Sequence, residues 1–442
     1  INWLKPIFLI KFNAMNLNRK QAPDFKTIDK IDITQATLHT LDNGIKVYTL
    51  NSGSQELTKI EFIFKAGMYY QSQPLLASAA NNLLETGTKS YSANQISDGI
   101  DFYGSFFECA VDQDYATLAL FSLNKYVEKS LLYVEEIIKC PTFPKDEFEI
   151  YISNKKQKHL VNSQKVNVLA RRKFTELLFG EKHPYGVEVK DEDFDKLSID
   201  TIFQFYKSHY HSANCTIIAS GKLDENLITV LNNFFGKTTW GTVSEIKQPT
   251  TILNTTTIQK HFIEKPDAIQ SAVRVGRILF NKTHPDYFKF QVLNTILGGY
   301  FGSRLMANIR EDKGYTYGIG SGLSSLVNAG YFFISTEVGT DVTNQTLTEI
   351  YKEIDLLRTT LVDEDELETV RNYVLGQFLR SVDGPYALAD KFKAIWEFGL
   401  DYSYFEKYFD AVKSISPQDI KDLANKYFQE KDLIELVVGK KN

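Results

Sequence analysis

The clearest chemical signal in this 442-residue chain is an arginine and a tyrosine seven residues apart, Arg310 and Tyr317. The glycines around them match neither G-x-G-x-x-G nor G-x-x-x-x-G-K-S/T, which excludes a phosphate-binding loop. We expect a helix over Ser303–Asp312, a helix stop at Gly314 and a strand that begins at Tyr315, so that the two side chains could converge on one point. Spacing alone also fits an arginine that complements a helix terminus and a tyrosine in the core.

A second candidate is the pair His209 and His211, which are separated by a single residue. On a strand the two rings would share one face, and this spacing is one that metal sites can use. The alternative is a structural or solvated role for both rings. Four other histidines have no partner at ligand spacing: His39, His159, His261 and His284.

The elements that would position these residues occur twice along the chain. The segment 197–222 aligns without a gap with 415–440, 218 positions later, and Ser198 falls on Ser416. Two earlier pairs of segments recur at offsets of 216 and 219 residues. A long, collinear repeat of this kind indicates duplication of a domain rather than a solenoid of short units.

Each copy mixes strand and helix patterns. In the first copy Asp42-Asn-Gly44 predicts a hairpin turn, Ile60–Lys65 alternates as a strand, and helices are predicted over Leu75–Leu84 and Val127–Lys139. The second copy repeats the plan from a strand over Ser271–Phe280 onward. We therefore predict an α+β fold of two homologous domains, each a sheet with helices packed on one face, which could enclose a cavity.

The joint between the copies is predicted from composition. Residues 238–257 are rich in polar and β-branched types, and Gly241 and Pro249 break any periodicity. The apolar run at residues 6–10 is too short to span a bilayer. The predicted organisation is a tail or leader remnant at 1–14, a first domain at 15–245, a linker at 246–256 and a second domain at 257–442.

Composition limits the partners and the compartment. A net charge of −5, from 50 basic and 55 acidic residues, predicts neither nucleic acid nor a membrane as a partner. With 43% hydrophobic residues the chain can bury two cores. Three cysteines without C-x-x-C spacing, Cys109, Cys140 and Cys215, indicate reduced thiols. These cysteines favour the cytoplasm, with the periplasm as the alternative.

Taken together, these features resemble the pitrilysin/insulinase family of zinc metallopeptidases, which includes the mitochondrial processing peptidases. The resemblance is carried by Gly299–Tyr317 and by the segments Leu41–Val47, Leu84–Thr88 and Phe179–Gly186. It extends over almost the whole chain after about residue 36. The order of the segments, combined with the duplication, makes the resemblance specific.

In that family the first domain carries an inverted zinc motif, H-x-x-E-H, on a helix just before a turn like Gly87-Thr88. Counting back from this turn places the motif on Ser78-Ala-Ala-Asn-Asn82. A hydroxyl and two amides, from Ser78, Asn81 and Asn82, thus replace two imidazoles and a carboxylate on one helical face. They are weak zinc ligands, and Asn81 cannot take a proton from water. The alternative is simply a polar helix face.

The further zinc ligand of the family is a glutamate some 75–80 residues after the motif. This position falls near Lys158, within the segment 153–160, which contains no acid. The resemblance therefore implies that this chain holds no metal.

The second domain keeps the donors that the family uses. Arg310 and Tyr317 match the arginine and tyrosine that hold substrate carbonyls and stabilise the tetrahedral intermediate at the zinc of the domain opposite. A well-placed donor of this kind contributes about 3–4 kcal/mol in the transition state. Because this chain lacks the zinc site, the resemblance implies that a partner provides it.

Three functional hypotheses follow. The first is a non-catalytic subunit of a heterodimeric zinc metalloendopeptidase, inactive alone, which encloses unfolded peptides and supplies Arg310 and Tyr317 to a zinc-bearing homologous partner. The second is a catalytically inert homodimer that binds peptides or serves as a scaffold. The third and lesser one is an active zinc metallopeptidase with unusual ligands such as His209 and His211.

Overall fold

Two mixed sheets of matching topology form the framework of the chain. The computed structural model describes residues 33–249 and 251–441, so the predictions for residues 1–14 and for the start of the first domain lie outside the described residues. The first sheet has the order β1-β2-β6-β3-β5-β4. Its strands are β1 (Thr37–Thr40), β2 (Lys46–Asn51), β3 (Leu57–Phe64), β4 (Phe106–Val111), β5 (Ala116–Leu123) and β6 (Cys215–Gly221).

The second sheet, in the order β7-β11-β8-β10-β9, repeats the five strands β2-β6-β3-β5-β4, and among the described strands it has no counterpart of β1. Each sheet contains one parallel pair, β2 with β6 and β7 with β11, and the remaining pairs are antiparallel. The α+β fold of two homologous units is thereby confirmed. The strands of the second sheet are β7 (Lys260–Glu264), β8 (Gln270–Leu279), β9 (Ile319–Leu326), β10 (Ala329–Gly339) and β11 (Ile434–Gly439).

Helices connect the strands in both halves. Among the described residues no helix is both long and apolar enough to cross a membrane. The α-helices are α1 (Leu76–Asn82), α2 (Ala93–Phe102), α3 (Val127–Lys139), α4 (Lys145–Ser163), α5 (Val166–Phe179), α6 (Asp191–Lys196), α7 (Ile199–His209), α8 (Leu227–Leu231), α9 (Tyr287–Asn294), α10 (Thr343–Thr359), α11 (Glu364–Arg380), α12 (Pro385–Trp396), α13 (Ser403–Ser414) and α14 (Pro417–Tyr427). Single turns of 3₁₀-helix span Met68–Tyr70, Leu84–Thr86, Asn124–Tyr126, Ser212–Asn214, Thr340–Val342 and Glu430–Asp432, and π-helical segments span Asn232–Gly236, Thr295–Gly299 and Met306–Asp312.

Local sequence accounts for the elements that were predicted. Gly44 has φ +92°, a left-handed conformation that glycine adopts without strain, and it closes the turn that lets β1 pair with β2. The duplicated serines Ser198 and Ser416 are the N-caps of α7 and α14, and each side chain accepts a hydrogen bond from the backbone N–H three residues later. Such caps stabilise a helix by about 1 kcal/mol. The two serines align in sequence because each caps the equivalent helix of its own copy.

Each half has a hydrophobic core between its sheet and the helices on one face. In the first half Phe62 of β3 packs on Phe235, with ring centroids 4.6 Å apart. In the second half Phe332 of β10 packs on Phe428, with centroids 4.9 Å apart. All four rings are fully buried. These two cores fix the sheets that carry the candidate site residues.

The opposite face of the first sheet is covered by a helix from the second half. Neighbouring strand residues point to opposite faces of a sheet. In β6, Ile217 and Ala219 belong to the first-half core, whereas Ile218 packs with Leu388 and Phe392 of α12. Helix α12, which belongs to the second half, thus covers one face of the first sheet.

The reverse contact is made by α5, which belongs to the first half. Phe174 and Leu178 of α5 pack against Leu436 and Val438 of β11 in the second sheet. Helix α5 begins at residue 166 and α12 begins 219 residues later, at the offset of the duplication. The two copies have therefore exchanged equivalent helices, which the sequence pattern did not predict.

Candidate functional site

Helix α1 carries Ser78, Asn81 and Asn82, the residues predicted to replace the inverted zinc motif, and these polar side chains form hydrogen bonds within the protein. Its apolar face, with Leu76, Ala77 and Ala79, is buried in the first-half core. The Ser78 hydroxyl donates to the backbone oxygen of Leu75 at 3.0 Å. The Asn82 amide donates to the backbone oxygen of Ser78 at 2.6 Å. Both side chains are thus bonded to the backbone of this segment.

Asn81 has a different role because its side chain is completely buried. Its amide nitrogen donates to the backbone oxygen of Ala110 in β4 at 3.1 Å. Its side-chain oxygen accepts a hydrogen bond of 3.0 Å from the hydroxyl of Tyr210, which is also fully buried. The amide therefore joins α1 to the edge strand β4 and to the end of α7.

Tyr151 of α4 lies beside Ser78 and Asn82 of α1. The Tyr151 hydroxyl is buried. Burial raises the pKa of Tyr151, while the neighbouring Ser78 and Asn82 side chains lower it. The Lys155 ammonium lies 5.2 Å from the centroid of the Tyr151 ring, and Lys158 is exposed.

This set of side chains does not fit zinc. Tetrahedral zinc sites use imidazole, thiolate and carboxylate ligands. In the described part of the chain, no group of three or more His, Cys, Asp or Glu residues is placed to hold a metal ion. The expectation that this chain binds no zinc stays a prediction.

The prediction that His209 and His211 lie on one strand face is wrong. His209 is the last residue of α7, and His211 follows the helix end. The His209 ring stacks on Phe205 with centroids 4.1 Å apart, and its Nδ1 lies 3.0 Å from the Phe205 backbone oxygen. Burial lowers the pKa of both histidines. The helical backbone continues to His209 because the amphipathic period of α7 extends that far.

Arg310 lies in the π-helical segment Met306–Asp312, which is held firmly in the second half. Met306 and Ile309 are buried, and the Asn308 amide donates to Glu349 at 2.8 Å and to Glu353 at 2.6 Å on α10. The segment ends at Asp312, and Gly314, two residues later, has φ +67°, as the predicted helix stop requires. The backbone around Arg310 is therefore rigidly anchored.

The guanidinium of Arg310 stacks on an exposed ring. Its central carbon lies 4.7 Å from the centroid of Phe301, a residue with 64% of its surface exposed. The nearest acid is Glu311, at 3.9 Å, which is at the limit of an ion pair. A stacked guanidinium keeps its in-plane donors available. Sequence reasoning did not predict Phe301.

The prediction that Tyr317 lies in a strand is wrong, since β9 begins only at Ile319. Tyr317 belongs to a loop that is held in place by its neighbour Thr316. The Thr316 hydroxyl donates to the backbone oxygen of Glu337 at 2.8 Å and accepts a hydrogen bond of 2.9 Å from the Thr336 hydroxyl. The Tyr317 side chain is 95% exposed, and it borders a cavity of about 280 Å³. A fixed loop thus projects a free phenol into solvent.

The structure places Arg310 and Tyr317 on neighbouring segments without direct contact between them. Among the described residues, no hydrogen bond or ring contact joins the two side chains. Each has a separate anchor, α10 for the arginine segment and β10 for the tyrosine loop. The two side chains are therefore positioned independently of each other.

A cluster of hydrogen bonds joins the two halves next to the exchanged helices. Asp114 accepts hydrogen bonds from the hydroxyl of Tyr185 and, at 3.0 Å, from the backbone N–H of Val327 in the β9–β10 turn. Burial raises the pKa of Asp114, and these two hydrogen bonds lower it. The sequence did not predict this cluster, because its residues come from three segments that are far apart in the chain.

Glu397 lies beside this cluster, directly after α12. The Tyr115 hydroxyl donates to its backbone oxygen at 3.3 Å. Burial raises the pKa of the Glu397 carboxyl to about 7, opposed by Lys393 and helped by Asp112. The junction of the halves thus contains a carboxyl that changes charge near neutral pH.

Two family models match the chain. The model described as insulinase (peptidase family M16) matches residues 48–178, and the model described as peptidase M16 inactive domain matches residues 196–374. The first match includes α1 and the second includes the segment with Arg310 and Tyr317. Together they cover most of the chain in the order of the two halves.

Individual relatives are similar along most of their length. A Rickettsia bellii protein named uncharacterized zinc protease is 23% identical over 415 residues, 91% of this chain and 97% of that protein. A Helicobacter pylori protein named non-peptidase homolog YmxG is 22% identical over 374 residues, 83% of this chain and 84% of that protein. The crystal structure of a peptidase M16 inactive domain from Pseudomonas fluorescens has a TM-score of 0.81 at 22% identity, covering 92% of this chain and 98% of that chain. The structural match shows the common fold.

Proposed function

The chain belongs to the insulinase family of metallopeptidases, peptidase family M16, and to its non-catalytic type, and we propose that it is the non-catalytic subunit of a heterodimeric zinc endopeptidase. The partner is a homologous subunit with an intact H-x-x-E-H motif, which binds zinc and activates water. This chain closes the chamber, binds unfolded peptide and presents Arg310 and Tyr317. The observation that carries the proposal is a free, fixed phenol in a chain whose own α1 has no ligands for zinc.

The exposure of Tyr317 supports its role as a donor to a group outside this chain. A phenol with 95% of its surface exposed gains little for folding, so its position is not explained by the core. The tether through Thr316 removes most of the loop freedom that would otherwise be lost on binding. A preorganised donor of this kind stabilises a developing oxyanion by about 3–4 kcal/mol.

The sheet edges support binding of an extended peptide. Strand β4 is at the end of the first sheet and β9 at the end of the second, and each pairs with one neighbour among the described strands. An edge strand offers unpaired backbone groups to which a peptide can add as a further strand. β4 lies beside α1 through the Asn81 hydrogen bond, and β9 follows directly after the Tyr317 loop.

The compartment is part of the same proposal. The cysteines Cys109, Cys140 and Cys215 are all free thiols, and Cys215 is buried. Reduced thiols are typical of cytoplasmic proteins, so we place the complex there. A zinc-bearing partner should therefore be sought among cytoplasmic proteins of the same cell.

The test is turnover of the complex rather than of the isolated chain. This chain, affinity-tagged in its native cell, should co-purify with a homologue that contains about one zinc per heterodimer. In the reconstituted complex Tyr317→Phe should lower kcat on an unfolded peptide by about 10²-fold, because one oxyanion donor is lost. Zinc content and assembly should stay unchanged. Tyr126→Phe, which removes a hydroxyl from the first half away from the loop, is the matched control.

Other outcomes separate the alternatives. Unchanged kcat in the Tyr317→Phe complex would remove the assignment of Tyr317 and Arg310. If no zinc-bearing homologue co-purifies and the chain instead forms homodimers that bind peptide without hydrolysis, the scaffold function takes its place. Cleavage by the chain alone, retained after Tyr317→Phe, would indicate an unusual zinc site.

A further inference from the structure

The second half contains a large cleft that the proposed peptidase role does not use. It lies among α9, α11, α12 and α13 and has a volume of about 520 Å³. Pockets of roughly 300–1,000 Å³ accommodate small organic ligands. Neither Arg310 nor Tyr317 lines it. The cleft is therefore a separate candidate for binding.

Two lysines line this cleft, Lys282 before α9 and Lys391 on α12. The Lys282 ammonium donates to the backbone oxygen of Ala394 at 2.8 Å. The Lys391 ammonium lies 5.3 Å from the centroid of the Phe378 ring, and among the described residues it forms neither a hydrogen bond nor an ion pair. A half-buried ammonium without an acidic partner is an unusual arrangement in a folded protein.

The charges of the two lysines are not balanced within the cleft. Of the described residues that line it, none is an aspartate or a glutamate. Burial lowers the pKa of Lys391. Burial also lowers the pKa of Lys282, as does the nearby Lys391, while Glu397 from outside the cleft raises it. A bound anion would relieve both the burial and the mutual repulsion of the two ammonium groups.

The remaining walls are aromatic and rich in neutral hydrogen-bond donors. Such walls suit a ligand with an apolar body and a single polar group. Burial raises the pKa of the Tyr404 and Tyr408 phenols, which therefore remain protonated donors at neutral pH. The wall residues of these kinds are Tyr287, Gln291, Asn294, Tyr373, Gln377, Phe378, Tyr404, Phe405 and Tyr408.

We propose that this cleft binds a small hydrophobic carboxylate, with the carboxylate between the ammonium groups of Lys282 and Lys391 and the apolar body against the aromatic walls. The charge-assisted hydrogen bonds to the lysines select the anion, since such bonds are about twice as strong as neutral ones. The rings of Phe378 and Phe405 favour a ligand with a bulky, apolar body. Binding is independent of a zinc-bearing partner, because every residue in the site belongs to this chain.

The test uses the purified full chain and a fluorescent fatty-acid analogue, 11-(dansylamino)undecanoate. We expect one equivalent of the fluorescent analogue to bind saturably to the chain. Decanoate should displace it, and decanol, the uncharged analogue of decanoate, should displace it at least about tenfold more weakly. Lys391→Met keeps the approximate length of the side chain and removes its charge. The substitution should therefore weaken the binding of decanoate at least about tenfold, or roughly 1.4 kcal/mol. Its folding should be unaffected, since Lys391 has no hydrogen bond or ion pair among the described residues and a methionine can keep the contact with the Phe378 ring.

Controls distinguish this site from general anion or apolar binding. Lys129→Met removes an exposed lysine from the first half and should leave binding unchanged. Gln377→Trp places an indole at the exposed rim of the cleft and should block the analogue without removing charge. Equal displacement by decanol or by sulfate at matched ionic strength, or unchanged binding in both Lys391→Met and Gln377→Trp, would overturn the proposal.

Discussion

The hydroxyl of Tyr210 donates a hydrogen bond of 3.0 Å to the side-chain oxygen of Asn81, while the Asn81 amide donates to the Ala110 backbone oxygen at 3.1 Å. Asn81 stands where the resemblance to active family members places a catalytic glutamate. An amide both accepts and donates, whereas a carboxylate only accepts. In this chain the position is a structural connection between α1, β4 and the end of α7.

Asn81→Asp tests this connection with almost no change in shape. The carboxylate would be fully buried and could not donate to Ala110, so two polar groups would lose their partners. We expect the free energy of unfolding in urea at pH 7 to fall by about 2–4 kcal/mol. Asn233→Asp, at an exposed position, should change it by less than about 0.5 kcal/mol. Equal effects of the two substitutions would contradict the structural role.

Tyr210→Phe tests the other side of the same hydrogen bond. The ring would keep its packing on Phe64, at 4.9 Å between centroids, but the Asn81 oxygen would be left without a donor. We expect a loss of about 1–2 kcal/mol in the free energy of unfolding. Tyr317→Phe is the control, because its exposed hydroxyl makes no contact that folding needs, and it should be within about 0.5 kcal/mol of the parent.

Metal removal should have no effect on this chain. Ser78, Asn81 and Asn82 bond to protein atoms, and the described residues contain no group of three or more His, Cys, Asp or Glu placed to hold a metal ion. Elemental mass spectrometry of the chain purified alone should give less than about 0.1 zinc per chain, and EDTA should not change its Tm. About one zinc per chain, with a lower Tm in EDTA, would show that an unrecognised site exists.

The buried carboxyl of Glu397 predicts how stability depends on pH. Its pKa rises from the usual 4.5 to about 7 in the folded chain, so the native state keeps a proton that the unfolded state has lost. Stability should therefore fall as the pH rises from about 4.5 to 7 and then become constant. Each pKa unit corresponds to about 1.4 kcal/mol, and partial exposure keeps the total below about 3 kcal/mol.

Urea unfolding between pH 5 and pH 8 measures this dependence. Glu397→Gln keeps a neutral side chain at every pH and should reduce the slope between pH 5 and pH 7. Glu225→Gln, at an exposed position, should leave the slope of the parent unchanged. A slope that is the same in Glu397→Gln as in the parent would assign the pH dependence to other groups.

The exchanged helices predict that the halves depend on each other. Residues 33–249 alone would expose the face of β6 that α12 covers, including Ile218, and residues 257–442 would lose α5. Each fragment alone should aggregate or bind an apolar dye, and the two should co-purify as a folded pair when expressed together. Cooperative unfolding of either fragment as a monomer would contradict this, and would support the predicted domain limits as independent units.

Local patterns predicted most of the framework. The turn at Gly44, the strand around Ile60 and the bounds of α3 follow from residue type and periodicity, which act over a few positions. The duplication was visible because both copies keep the same caps and strand patterns. The exchange of α5 and α12 was not predictable, because an amphipathic helix specifies an apolar partner without specifying which sheet provides it.

The errors at the candidate site have physical causes. Tyr315-Thr-Tyr317 alternates like a strand, but the Thr316 and Thr336 hydroxyls bond to Gly318 and Glu337 backbone oxygens and take the place of ladder hydrogen bonds. Such local side-chain bonds compete with secondary structure. The cluster of Asp114, Tyr185 and Val327 was missed because its members come from three segments that are far apart in the chain.

The reciprocal exchange of α5 and α12 also bears on how the chain arose. A single ancestral copy would have left one face of its sheet uncovered unless it lent its helix to a second copy and received one in return. Such a pair is a domain-swapped dimer, whose stability depends on concentration. Joining the two copies in one polypeptide makes the association intramolecular, so that the exchange no longer depends on protein concentration.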